Sequence, residues 1–183
     1  MPSWEQNGEE GKDDDGNGYI DDIYGYNVRS DDGDVTDTDG HGTHVAGIIA
    51  MKQTKDSSVE GIYPNAKIMT VKAGNTVNGF SGVNIATAID YAVENGADVI
   101  NMSLGTTYLG EELEAALENA RKHSVLTASA GNYGDPTHEK GDSDGENMFP
   151  ACLPYVLGVM STDSEDMLST FSNWDRKPET DVE

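Results

Sequence analysis

Cysteine is nearly absent: Cys152 is the single one in 183 residues, which excludes an internal disulfide and leaves the redox compartment open. Basic residues are scarce as well. With 11 Lys and Arg against 34 Asp and Glu, the formal net charge is −23. A chain without clustered lysine and arginine has little to offer a phosphate backbone, so nucleic acid is excluded as a partner. No apolar run is long enough to span a bilayer, and no signal-like apolar stretch follows Met1. Within these bounds the length allows one domain with a real core. Oligomeric state cannot be read from the composition.

What is present is an alternation of strand-like and helix-like segments, which points to an α/β fold with a mostly parallel sheet and helices on both faces. Strands are expected near Lys67–Lys72, Val99–Leu104, Val125–Ser129 and Tyr155–Met160, with Ile23–Val28 a weaker candidate. Ile85, Ala88, Ile89 and Ala92 keep one helical face between Ser81 and Asn95, and Gly96 suits the C-terminal cap. Leu113, Ala116, Leu117 and Ala120 form the apolar face of the next helix. That helix opens with Glu111-Glu112 and closes with Arg121-Lys122-His123, the charge order that its dipole favours.

Two blocks carry chemistry. Asp39-Gly-His41-Gly-Thr-His44-Val-Ala-Gly-Ile-Ile-Ala50 places a histidine at the mouth of an apolar, glycine-punctuated helix, a position suited to a general base. Val45 and Ile48, four and seven residues on, share a face with His41 and are expected to anchor it to a core. Val125-Leu-Thr-Ala-Ser-Ala-Gly131-Asn132 reads as a buried strand running into a glycine turn that delivers a side-chain amide at its C-terminal end. An amide fixed there can donate to the oxyanion of a tetrahedral intermediate, a contact whose loss typically costs about 2.7–4 kcal/mol. As a set, these blocks resemble the catalytic-histidine and oxyanion segments of subtilisin-like serine peptidases. Gly61-Ile-Tyr-Pro-Asn-Ala-Lys67-Ile and Val99-Ile-Asn-Met-Ser103-Leu-Gly105 are similar to family segments in the same order, and the similarity runs from about Asp13 to the end of the chain. The resemblance implies a three-layer α/β fold, His41 as general base, His44 as a structural residue and Asn132 as oxyanion donor. It also implies that Ser103, Leu104 and Gly105, with Ala130 and Gly131, form the edge that pairs with an extended protein or peptide substrate.

The nucleophile and the carboxylate that orients the base are not found. Family members carry that carboxylate on an apolar strand ending Asp-Ser/Thr-Gly, whereas residues 1–18 are polar and glycine-rich. Asp37-Thr-Asp-Gly40 abuts His41 with no apolar strand before it, and reads as the loop leading into the histidine helix. Gly-Thr-Ser-Met-Ala, the family's nucleophile motif, is absent too. Residues 1–183 are therefore read as a partial, incomplete domain, with the upstream Asp strand and the downstream Ser helix missing. In the family fold that Asp strand lies between the strands corresponding to Lys67–Lys72 and Val99–Leu104. Gly141-Asp-Ser143-Asp-Gly145 spells a nucleophile elbow, but its surroundings are those of a solvated loop rather than a strand-turn-helix. His41 and His44 lack the glutamate of the H-E-x-x-H zinc pattern, so no catalytic metal is expected.

Acidic residues cluster in Asp13-Asp-Asp15-Gly-Asn17-Gly-Tyr19-Ile-Asp21-Asp22. Asp13, Asp15, Asn17 and Asp21 fall at positions 1, 3, 5 and 9 of a calcium loop, Tyr19 at position 7, with glycine at 6 and isoleucine at 8. Position 12 is Tyr24 rather than glutamate, so residues 13–24 read as a calcium-stabilised surface loop, not a complete EF-hand; a solvated acidic turn is the alternative. A weaker cluster is Asp31-Asp32-Gly-Asp34 with Asp37 and Asp39. The sequon Asn101-Met-Ser103 falls in a strand expected to be buried, and so to stay unmodified. Phe149-Pro150 resembles the family's aromatic–proline segment beside the specificity pocket, which implies a cis bond there and a trans bond at Leu153-Pro154; Ala151 stands where glycine is usual.

The combined reading is a serine endopeptidase of the subtilisin type, represented by a piece inactive alone, with export expected by family analogy. Two alternatives stay open: a non-catalytic relative that binds peptides, and a calcium-binding acidic module. Sequence beyond both ends discriminates between them.

Overall fold

The fold comes from a computed structural model, which describes residues 9–13, 16–56, 58–75, 79–134 and 148–174. The backbone divides into two compact units, Met1–Ala97 and Asp98–Glu183.

The first unit contains β1 (Gly25–Asn27), α1 (His41–Ala50), β2 (Thr70–Lys72), β3 (Gly74–Asn75), β4 (Gly79–Phe80) and α2 (Gly82–Glu94). β1 and β2 pair in parallel with Tyr26 opposite Val71. Gly25 is required at this crossing. Its φ is +125°, and a Cβ there would run into the Thr70 carbonyl oxygen. The antiparallel hairpin β3–β4 was not expected from the sequence.

α2 follows its sequence signals closely. Ser81 is the N-cap, its hydroxyl accepting from the Asn84 amide at 3.1 Å. At the other end Gly96, at φ +73°, donates to Val93 and Ala97 donates to Ala92, the paired bonds of a Schellman stop. Ile85, Ala86, Ile89, Tyr91 and Ala92 are buried, and α2 packs against β2. Removing side chains such as Ile85 and Ile89 from water contributes about 1.5–3 kcal/mol each.

The second unit contains β5 (Val99–Met102), α3 (Glu111–Ala120), β6 (Val125–Ser129) and β7 (Leu157–Val159), with a parallel sheet in the order β5-β6-β7. Ile100, Met102, Leu126 and Ala128 alternate into the core, and Leu113, Ala116, Leu117 and Ala120 of α3 are buried. Val99, Val125, Leu157 and Val159 are exposed. Arg121 follows α3, bonding Glu118 at 2.7 Å and lying 4.9 Å from the centre of the Tyr155 ring.

The parallel strands and helices fall where the sequence places them, β6 with the same bounds and the others shorter. Two expectations need correction. Val45 and Ile48 do not anchor α1 to a core: the helix buries none of its residues, Val45 is half-buried and Ile48 is 55% exposed. Asn101 is exposed rather than buried, because β5 turns Ile100 and Met102 inward and Asn101 outward.

Candidate functional site

His41 is the first residue of α1, after an N-cap Gly40 at φ +91° that has no side chain to cap with. The capping oxygen comes from further upstream. Asp37 Oδ1 accepts from the amides of Asp39 and Gly40 at 2.9 and 2.8 Å, while Oδ2 accepts from the Thr43 amide at 2.8 Å and its hydroxyl at 2.6 Å. The Thr43 hydroxyl, then the Gly40, Thr43 and Asp39 amides, hold the Asp37 carboxyl well below its ordinary range. Asp37-Thr38-Asp39-Gly40 is thus the loop that leads into the histidine helix and sets its first turn. The other end of α1 is tied by Gly61, Ile62 and Tyr63, whose amides donate to Met51, Ile48 and Ile49. A Cβ on Gly61 would lie 2.6 Å from the Met51 nitrogen, so only glycine allows that approach. His41 and His44 are both exposed.

In the second unit, the C-terminal ends of β5 and β6 hold Ser103–Gly105 and Ala130–Asn132. Gly131 is at φ +111°, and Asn132 after it is exposed, its side chain without a hydrogen bond among the described residues. Thr106 and Phe149 exchange backbone hydrogen bonds at 2.9 Å in both directions, bringing Met148–Pro150 alongside the Gly105 segment. Met148 is buried between the two expected substrate-edge segments: a Cβ on Gly105 would meet its Cε at 2.6 Å, and one on Gly131 would meet its Cγ at 3.0 Å. The Phe149–Pro150 bond is cis and Leu153–Pro154 is trans, as the resemblance implied. Ser103, Leu104, Gly105, Ala130 and Gly131 are all half-buried.

The acidic loop is organised around Asp13 and Asp22. Asp13 Oδ1 accepts from the Gly16 and Asn17 amides at 2.7 and 3.1 Å, and Oδ2 from Gly18 at 2.9 Å. Asn17 Oδ1 accepts from the Tyr19 amide, and its Nδ2 donates to Asp22 and to Asn95. Asp21 accepts from the Gly11 amide through both oxygens. Asp22 is completely buried: Oδ2 accepts from the Tyr91 hydroxyl at 2.6 Å, and Oδ1 has no hydrogen-bond partner among the described residues. Tyr19, Tyr26 and Tyr91 surround this point with ring centroids 4.7–5.5 Å apart. Burial, then the Glu94 carboxylate, push the Tyr19 hydroxyl up to about 12. Asp13, Asn17 and Asp21 offer the hard oxygens calcium prefers: Asp13 Oδ2, Asn17 Oδ1 and both Asp21 oxygens each bind one amide and keep a second lone pair, whereas Asp13 Oδ1 already accepts from two; Asp22 Oδ1 is one more such oxygen. Among the described residues no three His, Cys, Asp or Glu side chains are grouped as a metal ion requires. Asp15 and the decoy Gly141–Gly145 lie outside the described residues.

Three residues the sequence reading missed help to shape these sites. Asp37 stands three positions before the N-cap, and its only signal was an acidic residue upstream of the helix. Met148, and Asn173, whose Oδ1 accepts from the Tyr133 amide at 2.8 Å, act across long sequence separations and gave no local signal.

The sequence profile of the subtilase family matches residues 5–181. The thermophilic serine proteinase of Bacillus sp. (strain AK1) is 38% identical over 153 residues, covering 83% of this chain and 36% of that protein. The major intracellular serine protease of Bacillus subtilis (strain 168) is 39% identical over 158 residues, covering 82% of this chain and 48% of that protein. Among solved structures, a cold adapted subtilisin-like serine proteinase aligns with a TM-score of 0.67 at 32% identity, over 82% of this chain and 50% of that one. The chain thus spans about half or less of the length of these relatives. With the family profile running over nearly all of its sequence and a subtilisin-like α/β structure beside it, the chain belongs to the subtilase family of serine peptidases.

Proposed function

We propose that the full-length protein carrying this chain is a subtilisin-type serine endopeptidase in which His41 is the general base and Asn132 the oxyanion donor. The observation that supports it most is Asn132 itself, exposed just beyond the C-terminal end of β6, after a left-handed Gly131. In this reading a serine hydroxyl attacks the scissile carbonyl while His41 takes its proton. The carbonyl oxygen becomes an oxyanion that accepts from the Asn132 side-chain amide. Collapse breaks the C–N bond, His41 returns the proton to the leaving amine, and water then hydrolyses the acyl-enzyme by the same steps. Ser103–Gly105 and Ala130–Gly131 pair with the extended substrate backbone.

The nucleophile and the orienting carboxylate come from sequence outside this chain, so the 183 residues alone do not turn over. Calcium bound by Asp13, Asp15, Asn17, Tyr19 and Asp21 would stiffen the loop and take no part in the reaction. Family analogy favours export, although one relative is named as intracellular.

Fluorophosphonate labelling tests the proposal. The full-length protein should label at one serine and cleave a peptide anilide, and His41→Ala should abolish turnover while leaving the fold intact. The isolated chain should not label. A full-length protein that neither labels nor cleaves would overturn the reading, and specific labelling of the isolated chain would overturn the claim that the nucleophile lies outside it.

A further inference from the structure

Asn173 is a buried polar residue, and its hydrogen bonds converge on the segment that carries Asn132. Its Oδ1 accepts from the Tyr133 amide at 2.8 Å, and its own backbone N–H donates to the Gly131 carbonyl at 3.1 Å. One residue therefore grips the chain immediately before and immediately after Asn132. The pairing continues one step further, where the Gly134 amide donates to Phe171 at 3.0 Å. Asn173 is itself held. The hydroxyl of Ser172, also buried, donates to the Asn173 carbonyl at 2.9 Å and accepts from the Ser161 amide at 2.9 Å. Ser161 and Ser169 share a hydroxyl hydrogen bond at 2.8 Å that closes the same turn.

The fit leaves no slack on the Gly131 side. A Cβ on Gly131 would lie 2.7 Å from Asn173 Nδ2, so the absence of a side chain at 131 is what admits the Asn173 amide. Asn132, by contrast, has no side-chain hydrogen bond among the described residues to fix its direction. The backbone on either side of Asn132, from which its side chain projects, is held by Asn173.

We propose that Asn173 is a positioning residue for the oxyanion donor: it touches no substrate and acts through Asn132. The inference rests on the reading of Asn132 as that donor. Its energetic logic is that an oxyanion contact stabilises the transition state only when the donor is preorganised at the position where charge develops. Freed from its clamp, Asn132 would sample orientations that miss the oxyanion, while the half-buried edge segments that bind substrate would be less affected.

The test uses the full-length protein with a peptide anilide. Removing an oxyanion donor outright costs about 10²–10³ in kcat, and misdirecting it should cost part of that, so Asn173→Ala should lower kcat about 10–50-fold with KM changed less than about threefold. The same substitution in an Asn132→Ala background should change kcat less than about twofold, because the donor it positions is gone. A residue with a general structural role would instead lower kcat by the same factor in both backgrounds. If Asn173→Ala fails to fold, Asn173→Asp and Asn173→Leu carry the comparison. The first keeps the acceptor for the Tyr133 amide and should retain most of kcat; the second fills similar volume without an acceptor and should behave as a positioning loss. An equal Asn173→Ala effect with and without Asn132, or an Asn173→Leu variant with the parent's kcat, overturns the inference alone. A parent that is not labelled by fluorophosphonate, or whose kcat is indifferent to Asn132→Ala, overturns the peptidase reading and this inference with it.

Discussion

Tyr91→Phe is a stringent test of how the first unit is held together, because it deletes one oxygen and little else. Tyr91 and Asp22 are both fully buried, and the Tyr91 hydroxyl donates to Asp22 Oδ2 at 2.6 Å. Among the described residues the other Asp22 oxygen has no hydrogen-bond partner, and Oδ2 is otherwise supported by the Asn17 amide at 2.9 Å. Phenylalanine keeps the ring against Tyr19 and Tyr26, so the apolar contacts persist. What is lost is a buried hydrogen bond to a carboxylate, worth about 1.5–3 kcal/mol, and the upper part of that range applies because the acceptor is already under-satisfied. At about 2–4 °C per kcal/mol for a chain of this size, Tm should fall by roughly 5–10 °C. Urea unfolding followed by circular dichroism measures the free energy, and an Asp22→Asn partner variant closes a double-mutant cycle. A Tyr91→Phe protein within about 0.5 kcal/mol of the parent, or a coupling energy near zero, would refute the idea that Asp22 and Tyr91 pin the acidic loop to α2.

Asp37→Ala should fray the first turn of α1, seen as faster amide hydrogen exchange at Thr43. Asp37 is held below its ordinary value of 3.8, so its contribution is present above that value and is lost as pH falls through the folded one; protection of Thr43 should decay with acid in the parent and be pH-independent in the variant. Gly25→Ala should separate β1 from β2 and destabilise by several kcal/mol, since neither its φ of +125° nor the Thr70 carbonyl admits a methyl group; an unchanged unfolding midpoint would contradict the close crossing. Calcium should raise the Tm of the parent and protect the Asp13–Asp22 loop from proteolysis, with both effects lost in Asp13→Ala/Asp15→Ala; equal calcium binding by the double variant would leave the loop a charged turn.

What the sequence revealed, and what it hid, follows the range of the interactions. α2 was legible end to end because its signals are local: Ser81 caps three residues from Asn84, and Gly96 turns where the helix stops. β6 was legible because Val125–Ser129 is a short apolar run bounded by a glycine turn. The face of β5 was misread because Val99 and Ile100 are both apolar, so alternation alone could not choose which of them, and hence whether Asn101, pointed inward. The burial of α1 failed for a related reason. A 3.6-residue periodicity says that a helix has an apolar side, not that anything in its own unit covers it. Asp37 was hidden because the cap position itself is glycine, and the oxygen that replaces it sits outside the usual capping window. Asn173 was hidden because the amide it accepts from lies 40 residues away, a separation that no local pattern encodes.

The exposed valines and leucine of the β5-β6-β7 sheet have a consequence for how the chain behaves as a colloid. Val99, Val125, Leu157 and Val159 are all more than half accessible, a sticky surface that would ordinarily drive self-association. Opposing it is a net charge of −23, whose mutual repulsion keeps copies apart only over the reach of the ionic atmosphere. That reach shrinks from about 10 Å at 0.1 M salt to about 3 Å at 1 M. Dispersion of this chain should therefore fall as ionic strength rises, an outcome that light scattering across a salt series checks, with scattering unchanged up to about 1 M salt counting against it.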